Sequence, residues 1–235
     1  MRPTIIFAHD LPEAWFRCLW ELANKHLAQK VDESYAGSVN VYDVQRGSFA
    51  GSHRRYELSF LYLHVENPGR RPLAPFIPDD LRGRVPPPTS DEYIEEYFVE
   101  YLLSPRLRPG EQYTYGSRIF DYVGSIIDML KDTPGTNQAV LEVARPEDLR
   151  LPDPPCLRLI QFKAVDGALH CTVYFRSWDL WAGLPTNLGG IQLLKEYVAH
   201  EAGLRDGTLT AVSPGAHVYD YAWPYVTAVL RIRQR

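Results

Sequence analysis

The residues best suited to chemistry are a cysteine closing Pro154-Pro155-Cys156 and, twenty positions on, the run Phe175-Arg176-Ser177-Trp178-Asp179. Cys156 offers a soft nucleophile at the mouth of a strand. Arg176, Ser177 and Asp179 place a fixed cation, a hydroxyl and a carboxylate at the far end of the next strand. A thiol beside an anion clamp points to covalent chemistry on a phosphorylated small molecule.

The elements that must hold these groups read as follows. Cys156 to Val165 and Ala168 to Arg176 form a hairpin around Asp166-Gly167, a two-residue turn signal. Helices are predicted from Asp10-Leu11-Pro12-Glu13 onward, from Thr89-Ser90-Asp91-Glu92 to about Leu103, from Ser117 to Lys131, and from Asn187 to Ala202. In the second of these, Tyr93, Tyr97 and Val99–Tyr101 make the apolar side. Strands are predicted at Gly37–Val44, Tyr56–Glu66, Gln138–Val143, Thr208–Val212 and Ala216–Tyr221, with Gly47–Gly51 as a hairpin loop. Trp223–Ile232 reads equally as helix or strand. Residues 67–90, rich in Pro, Arg and Gly, form a long surface loop with no composition shift after it. Strands and helices mix without regular alternation. That pattern favours one α/β (α+β) domain over residues 1–235, a mixed and mostly antiparallel sheet with helices packed on it.

Composition excludes several classes. The chain is 45% hydrophobic, with 25 basic and 29 acidic residues and a net charge of -4. Such a balance gives no global attraction to nucleic acid or to an acidic membrane surface, so an anionic partner must be caught by a local arginine cluster. No apolar run approaches the roughly 20 residues a membrane helix needs, and the N-terminal apolar stretch is too short for a signal peptide. A cytoplasmic location is the expectation. Three unevenly spaced cysteines argue against a disulfide framework, and no Cys or His grouping has metal-ligand spacing, so no metal is expected.

Residues 152–221 resemble the catalytic half of thymidylate synthase in its shorter archaeal-type form. The resemblance is carried by Pro154-Pro155-Cys156, Gln161-Phe162, Gly167-x-Leu169-x-Cys171, Arg176-Ser177-x-Asp179, Gly183-Leu184-Pro185-Thr186-Asn187-Leu188 and His217-x-Tyr219. Upstream, Tyr113-Thr114-Tyr115-Gly116-Ser117-Arg118 is similar to the family's tyrosine-glycine motif. The order and spacing of these motifs extend over more than half the chain. The first eighty or so residues match loosely.

The resemblance implies transfer of a one-carbon unit from methylenetetrahydrofolate to C5 of dUMP, with no metal. It implies Cys156 as the nucleophile adding to C6, a task that favours a soft group that can leave again. Arg176 is implied both as the cation that favours the thiolate and, with Ser177, as a phosphate contact. Asp179 is implied to present a backbone donor to the pyrimidine, its side chain holding the local turn and contacting folate. Asn187 is implied to read O4 and N3–H of uracil; taken alone it is also a helix N-cap. His217 and Tyr219 are implied contacts to the sugar 3'-hydroxyl, and Tyr115 an aid in removing the C5 proton. For the carboxylate that organises water at the base, Glu100 is the match, with Glu96 one turn earlier as the alternative. A homodimer packed through its sheets is implied, with dUMP and folate as partners.

The pattern departs from the longer enzymes in three places. Leu157 stands where His often follows the nucleophile. Thr136-Asn137-Gln138-Ala139 stands where paired arginines reach across the dimer, leaving Arg54, Arg55, Arg70 or Arg71 to complete a phosphate site. Arg233-Gln234-Arg235 is not the apolar tail that closes over folate. An open site would let water attack the exocyclic methylene, so a pyrimidine-nucleotide C5 hydroxymethylase is the first alternative. A catalytically weak nucleotide-binding regulator and a hydrolase built on Cys156 and His217 are the others.

Overall fold

The structure is a computed structural model that describes residues 3–28, 38–43 and 48–232, with side chains over 3–25 and 55–232. Among the described residues, ten strands and five α-helices alternate irregularly, a mixed α/β fold. Six strands form the larger sheet, in the order β1 (Thr4–Ala8), β4 (Leu61–Val65), β9 (Arg205–Ser213), β7 (Ala168–Phe175), β6 (Leu157–Val165), β5 (Val140–Glu142). Four form a second sheet: β2 (Ser38–Asp43), β3 (Ser48–Leu58), β10 (Ala216–Tyr219) and β8 (Trp178–Asp179). Three pairings are parallel, β1 with β4, β7 with β9 and β8 with β10; the others are antiparallel.

Alternation along the larger sheet separates two faces. Ile6, Leu61, Leu63, Leu209, Ala211, Cys171 and Val173 turn inward and are buried with residues of α1 (Leu11–Ala28) and α4 (Gly183–Glu201). Ile5, Phe7, Tyr174 and the half-exposed Tyr62 and His64 face out. The β6–β7 hairpin turns on Asp166 (φ 50°) and Gly167 (φ 73°), the left-handed pair a tight hairpin turn requires. α1 is capped as expected by Asp10, whose Oδ1 accepts from the Glu13 backbone N at 3.0 Å.

Several expectations change. β1 has no counterpart in the sequence reading; its pairing to β4 is entirely long-range. The predicted Tyr56–Glu66 strand is two strands, β3 and β4, belonging to different sheets. Ser48 to Gly51 are strand instead of hairpin loop, and residues 44–47 lie outside the described set. Trp223–Val229 is helix α5. α4 starts at Gly183, so Asn187 is inside it and does not cap it. Asp179 instead ties the turn into the helix, its carboxylate accepting from the backbone N of Trp181 (3.0 Å) and Ala182 (3.1 Å) in the turn and of Gly183 (3.2 Å), the first amide of α4.

The second predicted helix also differs at its end. α2 runs Asp91–Tyr97 with Ser90 capping, and continues as a π-helical turn over Phe98–Leu102. A π turn adds one residue per turn. Burial therefore passes from Ile94 and Tyr97 to Leu102, while Tyr93 and Val99, assigned to the apolar side, are exposed.

Candidate active site

Cys156 immediately precedes β6, where the larger sheet meets the smaller one. The chain leaves β7 at Phe175, bends through Arg176-Ser177 and enters β8. That bend lies against the cysteine: the Arg176 backbone N donates to Cys156 O at 2.8 Å. The register of β6 against β7 shifts between Leu157 and Leu159, the local irregularity that re-aims a strand end.

Two guanidinium groups and two phenols hold the Pro-Pro-Cys segment. Arg176 donates through Nε to Pro155 O at 3.2 Å, and through Nη2 to Pro154 O and to Asp153 Oδ1, the latter at 3.2 Å. Arg158 donates to the same Pro155 O at 3.2 Å. The Tyr113 hydroxyl donates to Asp153 O at 3.0 Å. Tyr115 Oη accepts from the Leu157 backbone N at 3.3 Å, one residue past the thiol. Burial pushes the Cys156 thiol above the ordinary cysteine range, with Arg176 and Arg158 opposing that rise. Burial also keeps the phenols of Tyr113 and Tyr115 neutral.

Behind this segment Asp148 is 2% exposed and gathers three partners. Arg118 lies at 2.8 Å, Arg158 at 3.7 Å, and the Arg145 backbone N at 2.8 Å. Arg118 in turn sits 5.6 Å from the centre of the Tyr113 ring. The arginine that braces Pro155 and the tyrosine that braces Asp153 thus share one buried anchor.

Asn187 projects from the first turns of α4 between two aromatic partners. Trp178 Nε1 donates to its Oδ1 at 3.2 Å, and its Nδ2 donates to Tyr97 Oη at 2.9 Å. Tyr97 reaches it because α4 carries Gly189-Gly190 opposite α2: a Cβ on Gly190 would lie 2.5 Å from Tyr97 Cδ1, and one on Gly189 2.7 Å from Ile94 Cδ1.

His217 and Tyr219 stand on β10, their rings 4.7 Å apart edge to face. His217 Nδ1 lies 2.9 Å from Gly215 O, which accepts, so Nδ1 carries the proton and Nε2 is an acceptor. That Nε2 is buried and has no hydrogen-bond partner among the described residues. Burial lowers the pKa of this imidazole and keeps it neutral. Glu57, its partner across β3, also has a buried carboxylate oxygen without a hydrogen bond; Arg55 Nε stands 2.8 Å from it without the alignment of one. The His217 Nε2 acceptor, buried and without a hydrogen bond, calls for a donor such as a hydroxyl.

The structure therefore brings Cys156, Tyr115, Arg176, Ser177, Asp179, Asn187, His217 and Tyr219 to the junction of the two sheets. No hydrogen bond or ion pair among the described residues joins Glu100 to them. Its side chain is exposed, carried outward by the π turn, and Glu96 is exposed one turn earlier and 3.9 Å from Arg108. The inward-facing residue of that segment is Tyr97, which the sequence reading assigned only to packing. Of the four arginines left open, Arg71 is bidentate to Glu196 at 2.8 Å and Arg70 is 3.5 Å from Asp10, both away from the site. Arg55 pairs in register with Tyr219. The side chain of Arg54 and the Arg233–Arg235 terminus lie outside the described residues. Leu157, where longer enzymes have His, is fully buried in the core. Among the described residues no group of three His, Cys, Asp or Glu could hold a metal, and no helix is long and apolar enough to cross a membrane.

Residues 98–235 match the family model described as thymidylate synthase. The chain belongs to the thymidylate synthase family. A protein of Methanosarcina acetivorans described as "Putative thymidylate synthase" is 35% identical over 234 residues, covering 97% of this chain and 94% of the relative. Relatives with the same description from Methanosarcina mazei and Methanopyrus kandleri are each 34% identical, over 236 and 175 residues. The first covers 97% of this chain and 94% of the relative; the second covers 72% and 79%. The matched span contains every site residue named above except Tyr97, Arg55 and Glu57.

Proposed function

We propose that this member of the family is a thymidylate synthase that methylates dUMP reductively to dTMP, through a bond between Cys156 Sγ and C6 of the pyrimidine. The observation that carries the reading is the half-buried Cys156 thiol, backed by Arg176 and Arg158 and lying with Tyr115 and the Asn187 amide at one sheet junction. Addition of the sulfur to C6 gives C5 the electron density to attack an electrophilic carbon. Methylenetetrahydrofolate supplies that carbon and then a hydride, leaving as dihydrofolate.

The roles of the chain's own groups follow from their chemistry. Arg176, whose Nε and Nη2 are engaged by residues 153–155, offers its Nη1 N–H groups to the phosphate, and Ser177 a neutral donor, with Arg55 as the further cation. Asn187 offers one remaining lone pair and one remaining N–H to N3–H and O4 of uracil. His217 Nε2 accepts from the sugar 3'-hydroxyl, with Tyr219 beside it. Tyr115, kept neutral, accepts and passes on the C5 proton through its hydroxyl. Asp179 holds the turn that presents backbone donors to the base. A reduced pterin needs an aromatic wall near a carboxylate. Tyr219 and the half-exposed Tyr221 stack at 5.6 Å within electrostatic reach of Asp179, and they fit that group.

As part of the same reading, the chain is a single domain that works in the cytoplasm as a homodimer through the outer face of the larger sheet. Ile5 and Phe7 are 59% and 57% exposed there, beside Tyr62, His64 and Tyr174, an apolar stripe that an isolated sheet face would leave in water.

Incubation with 5-fluoro-dUMP and methylenetetrahydrofolate followed by intact mass measurement tests the reading. A ternary adduct on Cys156, lost in Cys156→Ala, is expected. Folded protein that forms none overturns it. With dUMP itself, dTMP and dihydrofolate must form together; hydroxymethyl product without dihydrofolate would convert the assignment to a C5 hydroxymethylase.

A further inference from the structure

An asparagine amide can sit in its pocket in two ways that differ only by exchange of O and NH2, and only one suits a given pyrimidine. Uracil offers N3–H and the O4 acceptor; cytosine offers the N3 acceptor and the N4 amino group. A rotated amide therefore reverses base preference. In this structure Asn187 is held at both ends, and its two partners are chemically unequal.

The Trp178 indole N–H only donates. At 3.2 Å from Asn187 Oδ1 it accepts one orientation and opposes the other, since rotation would set NH2 against N–H. The Tyr97 hydroxyl, 2.9 Å from Nδ2, can donate as well as accept, so it tolerates either orientation. Both partners are rigid. Trp178 is 1% exposed and stacks on Phe175 at 4.4 Å with 3° between the planes. Tyr97 is seated on Gly190 and stacked on Tyr101 at 5.7 Å. Neither can follow the amide if it turns.

We propose that Trp178 and Tyr97 are positioning residues with separate duties: Trp178 fixes which way the Asn187 amide faces and so makes the site prefer dUMP to dCMP, whereas Tyr97 fixes where the amide sits and so sets affinity for either nucleotide. The inference rests on the dUMP reading above. It assigns selectivity to a fully buried side chain behind the amide, and it gives the Tyr97 phenol on the inward face of α2 a role beyond packing.

The test is calorimetric titration of the full-length protein with dUMP and with dCMP, which reads binding without turnover. Three variants are compared with the parent: Trp178→Phe, Tyr97→Phe, and 3-benzothienylalanine at 178, which replaces the indole N–H by sulfur at nearly constant shape. The parent prefers dUMP. Both changes at 178 lower the dUMP-to-dCMP affinity ratio about tenfold, the scale on which a buried polar mismatch discriminates, chiefly through gain of dCMP binding. Tyr97→Phe weakens both nucleotides roughly threefold to tenfold, the loss of one hydrogen bond, and leaves the ratio within about twofold. If Trp178→Phe does not fold, the benzothienylalanine protein decides the matter. An unchanged ratio in that protein, or a Tyr97→Phe ratio that falls as far as the Trp178 variants, overturns the division of duties while leaving the dUMP reading intact. A folded parent that binds neither nucleotide overturns the dUMP reading and the inference together.

Discussion

Replacing Gly190 by alanine sets two calculable effects against each other. Alanine is the better helix former in the middle of α4, by about 0.8–1 kcal/mol. Against that, the added Cβ would lie 2.5 Å from Tyr97 Cδ1, 2.9 Å from Cε1 and 3.2 Å from Leu102 Cδ1. Tyr97 is 8% exposed and its ring lies against Tyr101, so it has no free direction in which to retreat. Overpacking of this kind costs about 1–3 kcal/mol, and displacing the ring also strains the hydrogen bond to Asn187, worth about 1 kcal/mol. The strain wins: Gly190→Ala is expected to lose roughly 2 kcal/mol, a fall in Tm of about 4–8 °C for a chain of this length. Gly124→Ala is the internal control. Gly124 lies in α3 (Gly116–Asp132) with nothing within 4 Å of its virtual Cβ, so the propensity term acts alone and stability rises by up to about 1 kcal/mol. Scanning calorimetry and urea titration of both variants, with dUMP affinity measured alongside, provide the assay. A Gly190→Ala protein at least as stable as its parent and with unchanged nucleotide affinity would refute the close α2–α4 contact that delivers Tyr97 to Asn187.

Asp148→Ala should cost about 3–5 kcal/mol in urea unfolding, because Arg118, only 10% exposed, would be left as an unpaired buried cation; a loss below 1 kcal/mol would show that the arginines find other partners. Alkylation of Cys156 by iodoacetamide should rise with pH through a midpoint above that of a free cysteine, and Arg176→Met should move it higher still by removing the largest opposing charge; a midpoint below the free value in the parent would contradict the burial. His217 has its pKa lowered in the folded state. The unfolded chain therefore takes up the proton first as pH falls, and the neutral imidazole is kept to below the ordinary value of 6.5. Nucleotide affinity through Nε2 should hold at pH 6.5 and weaken only at lower pH. A decline in affinity centred above 6.5, absent from His217→Gln, would contradict the assignment.

Much of the fold and of the candidate site was legible in the sequence because it depends on local chemistry. The Asp166-Gly167 turn sets the β6–β7 hairpin, and that hairpin alone carries Cys156 and Arg176 to the same end of the sheet. The Asp10 cap and the periodicity of α1 and α3 are local for the same reason. The ordered motifs from Tyr113 to Tyr219 identified the family and the residue types its chemistry needs. Tertiary packing decided the rest. β1 exists because β4 pairs with it from more than fifty residues away, a contact no window of sequence contains. Asp179 ties the turn into the first amide of α4 and Asn187 lies inside the helix, since the helix begins at Gly183 just after the turn that leaves β8 and not where the capping preference is strongest. Tyr97 is inward as its periodicity predicts, but it reaches Asn187 only because Gly189-Gly190, on another element, opens a space that fits an aromatic ring, while Glu100 is exposed in the π turn. Which way a side chain faces there is set by the partner surface, and that surface exists only once the chain has folded.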